Sequence, residues 1–123
     1  MNKLIKSPYG HIIINDKDKG VGSAISEGSY FEPDNIKIIL GIIETLLNKH
    51  KRVTFYDVGA NIGTHTLAVA STFKDRVFVR AFEAQRQIYY MLCGTIALNN
   101  LNNVYCHHVA VGQYNGYMSF EVD

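Results

Sequence analysis

Two carboxylates, each at the end of an apolar run and separated by a glycine-bearing turn, are the residues of this chain best placed for chemistry. Tyr56-Asp57-Val58-Gly59-Ala60-Asn61-Ile62-Gly63 sets Asp57 near the end of the run Val53–Val58, and Glu83 follows a second run, Val77–Phe82. A glycine turn lets the backbone approach a ligand closely. A carboxylate just past the next strand can accept both hydroxyls of a ribose. Together they indicate a nucleoside-bearing ligand held at the carboxyl ends of strands in an open α/β sheet.

The spacing narrows the ligand. A dinucleotide fingerprint needs G-x-G-x-x-G, whereas this loop reads D-x-G-x-x-x-G with Asn61 at the middle glycine's place. A phosphate-cradling G-x-x-x-x-G-K-[ST] is absent as well. An acid two residues before the first glycine suits a cation better than a phosphate. S-adenosylmethionine is such a ligand, with an amino group and a sulfonium at one end and a ribose at the other. Asp57 would face the amino-acid end, directly or through water, and Glu83 the ribose, since charged acceptors make the stronger hydrogen bonds. A plainer alternative stands beside this reading: Asp57 as the cap of a tight strand–helix turn, and Glu83 as an acid favoured by a helix dipole. Asn61 either tolerates a left-handed backbone or touches the ligand. His65, in the first turn of the following helix, either approaches the ligand or faces solvent. No residue stands out as a catalytic base.

Asp57-Val58-Gly59-Ala60-Asn61-Ile62-Gly63, with Leu67, Phe82-Glu83, Leu98-Asn99-Asn100 and Ala110-Val111-Gly112, resembles the FkbM family of S-adenosylmethionine-dependent methyltransferases. Tyr30-Phe31-Glu32-Pro33, ahead of the first long helix, resembles that family's approach segment. The resemblance covers residues 10–122. It implies a Rossmann-like class I methyltransferase fold and O-methylation of a sugar or another small hydroxylated acceptor. The family's cofactor residues fall on Asp57, Gly59, Asn61, Gly63 and Glu83, within a loop that includes Ala60. Ala110 ends the third strand, where backbone in this fold meets the adenine edge. Two departures are visible. Ala84 stands where the family has proline, and the family's later acid-bearing strand has no counterpart before Asp123.

The elements that must position these residues read as alternating strands and helices, which implies a parallel central sheet with flanking helices. His11–Asn15 is a short β-branched strand followed by a polar turn. Val21–Ser26 reads as a helical turn and Glu27–Pro33 as an aromatic loop, whose Tyr30, Phe31 and Glu32 line the site mouth or plug the helix start. Asp34 caps a helix running to Lys49, with Ile36, Ile39, Leu40, Ile43, Leu46 and Leu47 at helical spacing. Ile38 and Ile42 widen that face, so the helix should be largely buried. Strand 53–58 is nearly all apolar, as a strand covered on both faces requires. Helix 64–73 turns Leu67, Ala70 and Phe73 inward. Helix 86–99 turns Ile88, Met91, Leu92, Thr95, Ile96 and Asn99 inward, and at most one of Tyr89 and Tyr90. A third strand spans 104–111. Asn115-Gly116 signals a hairpin, with Tyr117–Val122 pairing back on that strand. The chain divides into a lead-in, residues 1–33, and the cofactor-binding half of a methyltransferase domain, residues 34–123. It reads as truncated after the third core strand and hairpin. The strand carrying Asp57 then has one unpaired edge, which a second copy or the 11–15 strand would cover.

At 123 residues the chain suffices for one core. A net charge of +1 gives no footprint for nucleic acid or an acidic membrane surface, and the run Lys49-His50-Lys51-Arg52 suits a helix C-terminus. Cys93 and Cys106 make no disulfide framework and read as small reduced core residues of a cytoplasmic protein. His107 and His108 point to opposite faces of a strand, so no metal site is expected. No apolar run is long enough to span a bilayer. The expected function is methyl transfer from S-adenosylmethionine to a small-molecule acceptor. The alternative is a truncated, non-catalytic module that binds cofactor or a partner chain. A nicotinamide or flavin oxidoreductase fits the topology but not the glycine spacing.

Overall fold

The computed structural model describes residues 1–16, 33–117 and Ser119. Their order is β1 (Asn2–Ser7), β2 (Gly10–Asn15), α1 (Pro33–Leu47), β3 (Val53–Val58), α2 (Thr64–Phe73), a 3₁₀ turn (Lys74–Arg76), β4 (Val77–Phe82), α3 (Arg86–Leu98) and β5 (Val104–His107). The helical turn expected at 21–26, the loop with Tyr30, Phe31 and Glu32, and most of the arm 117–122 lie outside the described residues.

β3, β4 and β5 form a parallel sheet in that order, with Asp57 opposite Ala81 and Ala81 opposite Cys106. Both crossovers step the same way across the sheet. Right-handed connections then place α2 and α3 on one face. On that face α1 and α2 enclose Val77 and Val79 together with Val69, Ala70 and Phe73. α3 contributes Leu92 and Ile96 against Ala60 and Ala81.

The other face is open among the described residues, which corrects the expectation that β3 is covered on both sides. Tyr56 is 63% and Val58 58% exposed. Phe82 meets Tyr56 edge-on and stacks on His107, and the Arg80 guanidinium lies over Phe78 and Tyr105. α1 is corrected in the same way. Ile36, Ile43 and Leu47 are buried, but Ile38, Ile42 and Leu46 form an exposed outer stripe. Its last turn holds no basic residue, so the Lys49–Arg52 run lies past the helix end, and Asp34 sits in the first turn behind Pro33.

β1 was not expected, and β2 does not cover the free edge of β3. The two strands pair as an antiparallel hairpin, Asn2 with Asn15 through Ser7 with Gly10. Ile12 and Ile14 reach the core beside Ile62, Leu67 and Met91. α3 and its C-cap Asn99 satisfy outer backbone groups of the hairpin. Thr95 Oγ1 accepts from the Ile13 amide, Asn99 Oδ1 accepts from the His11 amide, and Asn99 Nδ2 donates to the His11 carbonyl.

β5 ends at His107 rather than Val111, because its pairing with β4 ends where Phe82 meets His107. Ala110 therefore lies beyond the strand and is exposed. Residues 108–117 contain bends and no strand, and the return arm of the hairpin expected at Asn115-Gly116 lies mostly outside the described residues. Helices 64–73 and 86–98 and strands 53–58 and 77–82 stand where the periodicity placed them. No helix of the described residues is long and apolar enough to cross a membrane.

Candidate functional site

Asp57, the loop 59–63 and Glu83 meet at the carboxyl ends of β3 and β4. The loop is tied to β4 through one carbonyl: the amides of Gly59 and Ala60 both donate to the Phe82 oxygen at 2.9 Å. Gly59 at φ 72°, Asn61 at φ 55° and Gly63 at φ 97° are all left-handed. That region is costly for side chains other than those of glycine and asparagine. The resulting turn folds Ala60 and Ile62 into the core and leaves the Asn61 side chain exposed. Asn61 thus adopts the left-handed backbone, one of its two expected roles, and its backbone amide reaches Glu83.

Glu83 is 7% exposed and doubly held. One carboxylate oxygen accepts from the Asn61 amide and the other from the Gln85 amide, both at 2.9 Å. The Glu83 amide donates to the His107 carbonyl at 3.0 Å. The side chain is therefore fixed, while each oxygen retains a lone pair for a further donor. Such a clamp presents two parallel acceptors with almost no entropy left to lose. The alternative of a mere helix-start acid does not account for the bond to Asn61, which joins the strand end to the loop.

Asp57 is also 7% exposed, and its Oδ2 accepts from the Thr66 hydroxyl at 2.6 Å. The partner is thus a side chain of α2 rather than a loop amide, so the turn-capping alternative does not describe it. Thr66 went unnoticed in the sequence. The only signal would have been a hydroxyl at an inward position of the first turn after the loop. Thr66→Val is expected to lower stability by about 1.5–3 kcal/mol, because a hydrogen bond to a buried charged acceptor is lost. Urea denaturation measures this, and Thr66→Ser should retain most of it.

Gly63 begins α2 without a side-chain cap. The uncapped end carries the positive end of the helix dipole. A Cβ on Gly63 would stand 2.7 Å from Leu92 Cδ1, whereas a Cβ on Gly59 would meet nothing within 4 Å. Gly63 is thus a packing glycine and Gly59 borders open space. His65 is half-buried rather than solvent-facing. His107 and His108 do point apart: the first stacks on Phe82, and the second stacks on Tyr89 with Nε2 3.1 Å from the Ala84 carbonyl. Tyr89 faces inward and Tyr90 is 57% exposed. Among the described residues no group of three or more His, Cys, Asp or Glu could hold a metal ion. Ala110, the remaining expected site residue, is not brought to Glu83 by any strand pairing.

The arrangement offers two fixed acids, neither in an ion pair among the described residues, on either side of an open glycine loop. It can bind a ligand that carries a cation at one end and a diol at the other.

No family model matches the chain, and no curated protein matches it in sequence. Solved structures do. The chain is similar to M. jannaschii TYW2 in complex with AdoMet, at TM-score 0.60 and 23% identity, over 89% of this chain and 43% of that one. It is similar to a SAM-dependent methyltransferase from Agrobacterium tumefaciens, at TM-score 0.61 and 11% identity, over 87% and 32%. Wild-type Trm5b from Pyrococcus abyssi matches at TM-score 0.51 and 14% identity, over 86% and 27%. The chain spans less than half the length of each of these proteins, and over the matched region it has their α/β fold.

Proposed function

We propose that this chain binds S-adenosylmethionine between the loop 59–63 and the end of β4, and that it serves methyl transfer to a small hydroxylated acceptor. The observation that carries the proposal is the Glu83 carboxylate, clamped by the Asn61 and Gln85 amides beside the open side of Gly59. Its free lone pairs suit a ribose diol. Asp57, on its rigid Thr66 support, suits the ammonium of the methionine end, and the uncapped start of α2 suits the carboxylate. The AdoMet complex of a structure with this fold supports the cofactor's identity. The finer assignment, an FkbM-type O-methyltransferase acting on a sugar or similar alcohol, rests on the Asp57–Gly63 motif.

The cofactor supplies an activated methyl group. The chain's own residues hold it in one orientation toward the acceptor. Isothermal titration with S-adenosylhomocysteine tests the proposal. Saturable binding with one ligand per chain is expected, and a folded chain that binds none would sink it.

A second reading, a cofactor-binding module without turnover that pairs with another chain, is favoured by the open face of Tyr56, Val58 and Tyr105. It requires a stable homo-oligomer in light scattering and no transfer to any alcohol tested. A monomer that turns over would exclude it.

A further inference from the structure

A second concave region lies away from Asp57 and Glu83, where the last turns of α3 pass over β5. It is a shallow pocket of about 480 Å³ walled by Ile96, Ala97 and Leu101, and both cysteines of the chain, Cys93 and Cys106, open on it. Each is a half-buried free thiol, one from the helix and one from the strand. Tyr89, one helical turn before Cys93, reaches the Cys106 carbonyl with its hydroxyl at 3.4 Å. Cys93 stands four residues after Tyr89 and so on the same side of α3, and it shares the pocket wall with Cys106. Tertiary packing has therefore brought the two thiols to one pocket beside solvent, and the proposed cofactor site uses neither.

We propose that Cys93 and Cys106 form a modification site that a small disulfide such as oxidised glutathione converts to an intrachain disulfide, tying α3 to β5. The Cys93 thiolate attacks one glutathione sulfur. The glutathione S–S bond breaks, one glutathione thiolate leaves, and a mixed disulfide forms at the pocket. Cys106 then loses its proton to solvent and attacks the Cys93 sulfur, which releases the second glutathione. Two protein thiols are oxidised, one disulfide is reduced, and the two protons end on the released thiols.

The order of attack follows from the surroundings. The Cys106 thiol is pushed up to about 12, by burial first and then by the charge and hydrogen bond of Cys93. Thiolate is the attacking species, so Cys106 is a poor first nucleophile. Capping Cys93 removes that sulfur's negative charge from the surroundings of Cys106, which eases the second step. The short stretch between the two residues keeps the effective concentration of Cys106 high.

The test treats the full chain with oxidised glutathione, then counts thiols with Ellman's reagent in denaturant and records the intact mass. A monomer with no free thiols and a mass lower by two hydrogens is expected, with the closed form exceeding the glutathione adduct by at least about 10-fold. Dithiothreitol should restore both thiols, and the oxidised chain should melt several degrees higher. Cys106→Ser should stop at one persistent glutathione adduct, whereas Cys93→Ser should react far more slowly. Two surviving thiols, a persistent adduct on the unaltered chain, or disulfides only between chains would each overturn the proposal. None of these readouts depends on cofactor binding.

Discussion

Glu83→Ala is expected to weaken S-adenosylhomocysteine binding by at least about 100-fold. Two hydrogen bonds from ribose hydroxyls to a charged acceptor contribute about 1.5–3 kcal/mol each, and the lower end of their sum already exceeds two decades. The substitution also removes the acceptor of the Asn61 and Gln85 amides. An unsatisfied buried donor costs about 1–3 kcal/mol, so the loop should loosen as well as lose its ligand. Glu83→Gln separates the two effects. Its carbonyl still accepts one amide bond, but its NH₂ meets the other donor head-on and only one hydroxyl keeps an acceptor. Calorimetry should place this variant between wild type and alanine, with circular dichroism confirming that the fold persists. Equal affinities across a folded series would remove Glu83 from the site and leave the cofactor assignment without its main support.

How far the sequence revealed the molecule depends on whether a residue's role was local. Asp57, Gly59, Asn61, Gly63 and Glu83 were legible because their constraints are local ones: a strand end, a positive φ, an acid after an apolar run. The structure brings all five to one place. Thr66 was illegible because its role is to support Asp57 across a turn, and a threonine in a helix carries no mark of that. β1 was missed for a related reason. Asn2–Ser7 is largely exposed, and its strand exists by pairing with β2 rather than by burying an alternating face. β5 was overextended because Val109 and Val111 have strand propensity but no partner strand beyond Phe82. Propensity for strand is largely a fit to neighbours, so it fails where the neighbours end. The open face of β3 is the same lesson on a larger scale. The apolar run 53–58 looked doubly covered, yet helices pack against only one side of it among the described residues.

The two loop glycines should respond differently to the same substitution. Gly63→Ala places a Cβ 2.7 Å from Leu92 Cδ1 on a backbone at φ 97°. The conformational penalty is about 1–2 kcal/mol and overpacking adds about 1–3, so a loss of about 2–5 kcal/mol in unfolding free energy is expected. Leu92 is fully buried beside Ala60, Ala81 and Ile96, which leaves it little room to retreat. The Gly63 carbonyl accepts from the Leu67 amide, so a shift at Gly63 also disturbs the first turn of α2 and the support of Asp57. Gly59→Ala, at φ 72° with nothing within 4 Å of its Cβ, should incur only the backbone penalty, about 1–2 kcal/mol. Its methyl group would enter the space assigned to the ligand, so its effect should appear in the S-adenosylhomocysteine titration instead. A double-mutant cycle with Leu92→Ala isolates the clash. Coupling should be at least about 1 kcal/mol with Gly63→Ala and near zero with Gly59→Ala. If both glycine variants unfold at the same urea concentration and bind alike, the division of the loop into a packing glycine and a ligand-facing glycine is wrong.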